Sequence, residues 1–150
     1  MKKFFALVFV CFVFFVASFS NVFFEKLVGL EGGIEVSFYC TQKNDGDVFS
    51  EVKNGDSYVY TAQIESMQGA YPSLLGCYGF SAKFDDAVFD EIMQSVQVLK
   101  TEVIEGVANY YGYVNTLSMF GFLENKKVNI QIAKTKNFVV VGSPIILGCY

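Results

Sequence analysis

The sequence predicts an α+β fold: an antiparallel sheet with one long amphipathic helix packed on one face. Three observations carry that reading. Stretches such as "IEVSFYC" (34–40) alternate, with Ile34, Val36, Phe38 and Cys40 on one side and Glu35, Ser37 and Tyr39 on the other, which is the period of a half-buried strand. One stretch, "FDDAVFDEIMQSVQVLK" (84–100), instead sets Phe84, Val88, Phe89, Ile92, Met93, Val96 and Leu99 at three- and four-residue steps, the period of a helix face. Between such stretches lie Asn-Gly and Asp-Gly turn signals, where glycine accepts the positive φ that a tight turn requires.

The chain opens on "MKKFFALVFVCFVFFVASFSN". Lys2 and Lys3 precede an uncharged run from Phe4 to Phe24, and Ser18 and Ser20 stand at the spacing a signal peptidase reads. Residues 1–20 are therefore expected to be an export signal. The run is also long enough to span a bilayer as an uncleaved anchor. In either case the positive end stays inside, and the body, residues 21–150, is an extracytoplasmic single domain, secreted or held by its N-terminal segment.

In chain order, 21–30 reads as a short helix or a linker, and 34–40 as a strand. Turns follow at "KNDGD" (43–47) and "KNGD" (53–56), then strands at 58–67 and 73–81. The helix over 84–100 has Asp85, Asp86, Asp90 and Glu91 in its first half and Lys100 at its end, matching the helix dipole. Strands are expected again at 102–111 and 113–122, with a turn at "ENKK" (124–127) leading into 128–135. The last strand starts at Phe138. Its run Phe138–Val141 is apolar on both faces and so central, while Pro144 cannot donate to a ladder and points to an edge.

Composition excludes more than it identifies. Without Lys2 and Lys3 there are nine Lys against fifteen acids, a net charge of −6, and the chain has no Arg, His or Trp. An acidic chain without Arg is a poor partner for nucleic acid or anionic lipid. Without His it lacks the usual general base and the commonest zinc ligand, and no metal or cofactor is expected. "NDGD" lacks the alternating oxygens and distal Glu of a calcium loop and reads as a turn. The acid pairs at 85–86 and 90–91 are explained by the helix start. No catalytic residues are assigned.

Three cysteines lie outside the leader. "PSLLGCY" (72–78) and "PIILGCY" (144–150) are nearly the same phrase, and a Cys77–Cys149 disulfide is expected from it. Cys40 is the competitor for either partner, and three buried thiols are the remaining alternative. Tyr110, Tyr111 and Tyr113 in "YYGY", with Pro144 at the expected edge, are the candidate binding residues, by aromatic contact or strand addition.

The final segment "KKVNIQIAKTKNFVVVGSPIILGCY" resembles the end of the YwmB-like family, through Asn129, Ala133, Gly142, Ser143, Pro144, Ile145, Ile146 and Tyr150. The likeness is specific over about a sixth of the chain. Cys149 stands where that family would carry an acid. The resemblance implies an exported protein of a Gram-positive bacterium, a fold like the TATA-box-binding protein, and work in the cell wall or in sporulation, with no activity to carry over. Fold likeness to a DNA-binding protein does not imply DNA binding. The expectation is therefore a non-enzymatic envelope domain that binds an envelope protein or a cell-wall component. The alternative is a carboxylate-dependent hydrolase of a wall polymer, which needs two carboxylates facing each other across a cleft.

Overall fold

The computed structural model describes residues 22–45, 48–67, 74, 76–117 and 120–147. The expected leader 1–20, Cys149 and Tyr150 lie outside them. Ten strands are present among the described residues: β1 (Gly33–Cys40), β2 (Ser50–Asn54), β3 (Ser57–Gln63), β4 (Cys77–Asp85), β5 (Gln97–Ile104), β6 (Val107–Tyr113), β7 (Gly121–Leu123), β8 (Lys126–Val128), β9 (Ile130–Lys134) and β10 (Phe138–Ser143). Eight of them form one antiparallel sheet in the order β2-β3-β1-β4-β10-β9-β6-β5, and β7 and β8 form a separate hairpin.

The long amphipathic helix is absent. The residues that looked like one stripe belong to several elements. Phe84 is in β4, and Asp85 ends that strand with extended backbone. A 3-10 turn (Asp86–Val88) and a short helix, Phe89–Met93, follow. The Ser95 and Val96 amides close that helix by donating to the Ile92 and Met93 carbonyls, and Val98 and Leu99 already belong to β5. Helical spacing over seven apolar residues was coincidental. Seven of the eight residues of β5 pair with β6 instead, all but Leu99, and the β-branched content of "VQVLKTEVI" suits that ladder. A TATA-box-binding-protein-like arrangement, which rests on a long helix crossing the sheet, is overturned with it.

One face of the sheet is covered by short pieces. A helix at 22–28, here α1, buries Phe23, Phe24, Leu27 and Val28 while Glu25 and Lys26 stay exposed. Phe24 packs edge-on to Phe80 and tilted to Phe38, with ring centroids 5.2 and 5.5 Å apart. The 3-10 turn Ile64–Met67, the helix Phe89–Met93 (α2) and Val114 and Leu117 complete the layer. Beneath it lie Val36, Phe80, Ala82, Phe84, Ile130, Ile132, Val139 and Val141, from the central strands β1, β4, β10 and β9.

Several expected boundaries move. The strand expected over 102–111 is a hairpin. Glu105 and Gly106, at φ 50° and 83°, turn β5 into β6 at a position where glycine is favoured. β6 then runs through Gly112, where any Cβ would sit 2.7 Å from the Gln97 carbonyl oxygen. The last strand ends at Ser143, next to the cis Ser143–Pro144 bond, and β10 is central, between β4 and β9. Pro144 therefore follows a central strand and marks no edge.

Candidate binding face

Strand pairing places one residue from each of the eight strands in a single row on the face opposite the core. Lys100 pairs with Tyr111, Tyr111 with Gln131, Gln131 with Gly142, Gly142 with Ser81, Ser81 with Ser37, Ser37 with Thr61, and Thr61 with Ser50. Apart from the glycine, every member has a polar group. The neighbouring row, one residue along, is Thr101, Tyr110, Ile132, Val141, Ala82, Val36 and Ala62, and its central members are core. This follows from the two-residue period of a strand, which sends adjacent side chains to opposite faces.

The row is ordered by its own hydrogen bonds. The Ser37 and Thr61 hydroxyls are 2.8 Å apart, and the Ser50 hydroxyl donates to the Thr61 carbonyl at 3.3 Å. Gln131, buried, donates through Nε2 to Asn109 Oδ1 at 2.9 Å and accepts from the Ile146 amide at 3.1 Å. The Leu147 amide donates to the Ser81 hydroxyl at 3.4 Å. Residues 144–147 thus fold back over the middle of this face. Two glycines make room for them. A Cβ at Gly142 would collide with the Ile146 backbone and lie 2.6 Å from the Ile145 carbonyl carbon; one at Gly79 would lie 2.8 Å from Leu147 Cδ1. The face is therefore divided. A strap crosses its centre, and polar side chains stand on either side of it.

The expected tyrosine strip is not one surface. Tyr110 lies on the core face, half-buried, with its ring 5.3 Å from that of Phe89. Tyr111 and Tyr113 point to the opposite face, the one Gln131 and Gly142 occupy. The structure thus brings Tyr111 and the Pro144 segment to one face and removes Tyr110 from it. Sequence reasoning missed Ser37, Thr61, Ser81 and Gln131, although the alternating phase of 34–40 and 128–135 already placed Ser37 and Gln131 opposite the core residues. It also missed Phe120 and Phe122. These stand exposed at the β7–β8 hairpin with rings 5.8 Å apart, and the Lys127 ammonium lies 4.0 Å from the Phe120 ring centre.

Cys77 is bonded to Cys40, at 2.06 Å between sulfurs, and not to Cys149. The reason is register: β1 and β4 are hydrogen-bonded neighbours with Cys40 opposite Cys77, and their Cα atoms are 3.9 Å apart. The repeated phrase ends in two different settings, one inside a strand and one beyond the described residues.

The acids of the alternative reading, Asp85, Asp86, Asp90 and Glu91, are all exposed around the short helix. Among the described residues no three His, Cys, Asp or Glu side chains come together as a metal site. The shifted titrations lie elsewhere. The Glu124 carboxyl is held below its ordinary value, first by the hydrogen bond from Lys100, and the Lys100 ammonium is correspondingly raised by Glu124. Burial pushes the Tyr60 phenol up; it donates to Glu51 at 3.1 Å and accepts from the Asn44 amide at 2.7 Å. Compared with known proteins, the chain matches no family model, no curated protein and no solved structure.

Proposed function

We propose that the chain is a non-catalytic domain of the bacterial cell envelope, exported through residues 1–20, that binds an envelope protein or a cell-wall component through the polar face of its sheet. The observation that carries this reading is the eight-residue row. A face that is to be buried in the chain's own core is apolar, whereas this one leaves the hydroxyls of Ser37, Thr61 and Ser50 on one side of the 144–147 strap and the Tyr111 phenol on the other. Such groups orient and select a polar partner at modest entropic cost. Export is supported by the lysine-led apolar leader and by the Cys40–Cys77 bond, a cross-link that oxidising compartments permit and the cytosol disfavours. The likeness of residues 126–150 to the YwmB-like family points to the same compartment and to cell-wall or sporulation work.

The test is co-sedimentation of the exported protein with purified Gram-positive cell walls, alongside crosslinking in the native envelope. Tyr111→Ala and Tyr113→Ala should lose the captured partner, while Tyr110→Ala, on the core face, should keep it. Turnover of a wall polymer by the purified protein, abolished by Asp86→Asn or Glu91→Gln, would establish the hydrolase instead.

A further inference from the structure

The two edges of the eight-stranded sheet are built differently. The β2 edge, "SEVKN", is short, polar and fully exposed, the kind of edge that discourages pairing. The β5 edge, "QVLKTEVI", is eight residues long, and among the described residues no strand lies on its free side. Val98, Val103 and Ile104 on it are 40, 70 and 46 % exposed. A long edge with exposed β-branched residues is a template for another strand.

The order of residues on β5 says which strand fits. Reading outward from Thr101, Lys100 faces Glu102, and apolar residues lie beyond both. We infer that β5 is a self-pairing edge: two copies of this chain join by antiparallel pairing of their β5 strands about a two-fold axis at Thr101. The inference stands apart from the partner proposed for the polar face.

Register is decided by faces and charges. Opposed residues in an antiparallel pair share a face, so a two-fold axis falls on a residue or skips a whole face period. With the axis at Thr101, Lys100 of each copy lies opposite Glu102 of the other, and Thr101 meets Thr101. Moving the axis to Glu102 opposes Glu102 with Glu102 and Lys100 with Ile104. Moving it to Val103 sets Glu102 against Ile104. Like charges directly opposed destabilise a pair, and opposite charges stabilise it. Leu99 is a bulge residue: β6 pairs Val98 with Gly112 and Lys100 with Tyr111, passing over Leu99. The same skip on the free side sets Val98 opposite Val103 of the other copy, so two exposed valines cover each other on both sides of the axis. Because the interface is the same patch on both copies, assembly closes at two. The polar β2 edges are left at the ends of the joined sheet.

The experiment is sedimentation equilibrium on the exported protein as the producing cell processes it. The wild type should sediment at twice the protomer mass. Lys100→Glu and Glu102→Lys should each sediment at the protomer mass, since each opposes like charges twice. An equal mixture of the two variants should return to twice the protomer mass. In the mixed pair, position 100 of the first variant is acidic and meets a basic position 102 of the second, while the unchanged Glu102 of the first meets the unchanged Lys100 of the second. That return also shows that both variants are folded. Thr101→Cys should crosslink to itself on mild oxidation. Directly opposed Cα atoms lie about 4.5–5.5 Å apart, within disulfide reach. Val103→Cys should not crosslink, with its two copies roughly 13 Å apart along the strands. A wild type that stays at the protomer mass at its highest soluble concentration, or a mixture that does not associate, overturns the inference. So does crosslinking at 103 without crosslinking at 101.

Discussion

Strands β10 and β5 have similar raw material and opposite fates. β10 reads "FVVVGS" and buries five of its six residues; β5 reads "QVLKTEVI" and buries none fully. β-Branched residues are plentiful in both. What differs is position in the sheet order. β10 has β4 on one side and β9 on the other, with α1, the 3-10 turns and α2 above it and residues 144–147 folding back over the far face. Among the described residues β5 has β6 on one side only. The covering layer is made of short pieces, and it does not reach the last strand. Burial in this domain is set by place in the ladder more than by apolar content, and the uncovered strand β5 keeps Val98, Val103 and Ile104 exposed.

The most direct way to break that comparison is to truncate one side chain at the centre and one at the edge. Phe84, fully buried on β4, should cost about 3–5 kcal/mol as Phe84→Ala, through lost transfer energy and the cavity left behind. Val103→Ala, at a residue 70 % exposed, should stay within about 0.5 kcal/mol in the unpaired protein. Urea unfolding at dilute concentration measures both. Equal losses would show that the edge is packed after all.

The same contrast explains what the sequence disclosed. The alternation at 34–40 and the apolar run at 138–141 were legible because a strand with neighbours on both sides must satisfy its period along its whole length. The 84–100 stretch misled because its apolar residues serve three different layers. Phe84 points into the core from a strand, Ile92 seals it from a helical turn, and Val98 belongs to an edge. One-dimensional spacing does not record that the chain turns between them. The Cys77 partner was ambiguous for a related reason. Cys40 and Cys149 both stand in apolar stretches near the end of a predicted strand, and only the β1–β4 neighbourhood, a long-range fact, selects Cys40. The polar row was half legible. Its residues fall in the right phase, but their alignment across eight strands depends on registers that no local signal specifies.

Buried polar groups sharpen the comparison at a smaller scale. Asn129, fully buried between β8 and β9, accepts from the Val114 amide at 2.7 Å and donates to the Val114 and Leu117 carbonyls at 2.7 and 3.0 Å. It fastens the 114–117 segment to the sheet. Asn129→Ala strands at least the Val114 amide and the Leu117 carbonyl in the interior and should cost about 3 kcal/mol, at about 1–3 for each unpaired group. Ser143, equally buried on β10, has no hydrogen-bond partner for its hydroxyl among the described residues. Ser143→Ala should therefore be neutral or mildly stabilising, since it removes a desolvated hydroxyl without breaking a bond. Unfolding free energies of the two variants separate the cases. A loss at Ser143 as large as that at Asn129 would mean the hydroxyl has a partner.

The smallest effect is expected back at the edge, where Lys100 sits 2.6 Å from Glu124 and 3.3 Å from Glu102. Glu124 is largely in water, and the Lys100 and Glu102 side chains are 31 and 32 % exposed, so solvent screens the pair and it adds little to stability. It should nevertheless leave a signature with pH. The Glu124 carboxyl is held below its ordinary value in the folded chain by the Lys100 hydrogen bond. Its contribution is then present above the unfolded carboxylate value and lost as pH falls through the lower, folded one. Lys100 is raised in the folded chain, so its contribution is present below the unfolded ammonium value and lost as pH rises through the higher, folded one. The difference in stability between wild type and Glu124→Gln should form a low plateau across neutral pH that fades at both ends. An NMR titration of the Glu124 side-chain carbon should show a midpoint below the ordinary carboxylate range, moving back up in Lys100→Met. A midpoint that does not move would mean the Lys100 ammonium spends its time on Glu102 or in solvent, and the edge would then be free of even this local order.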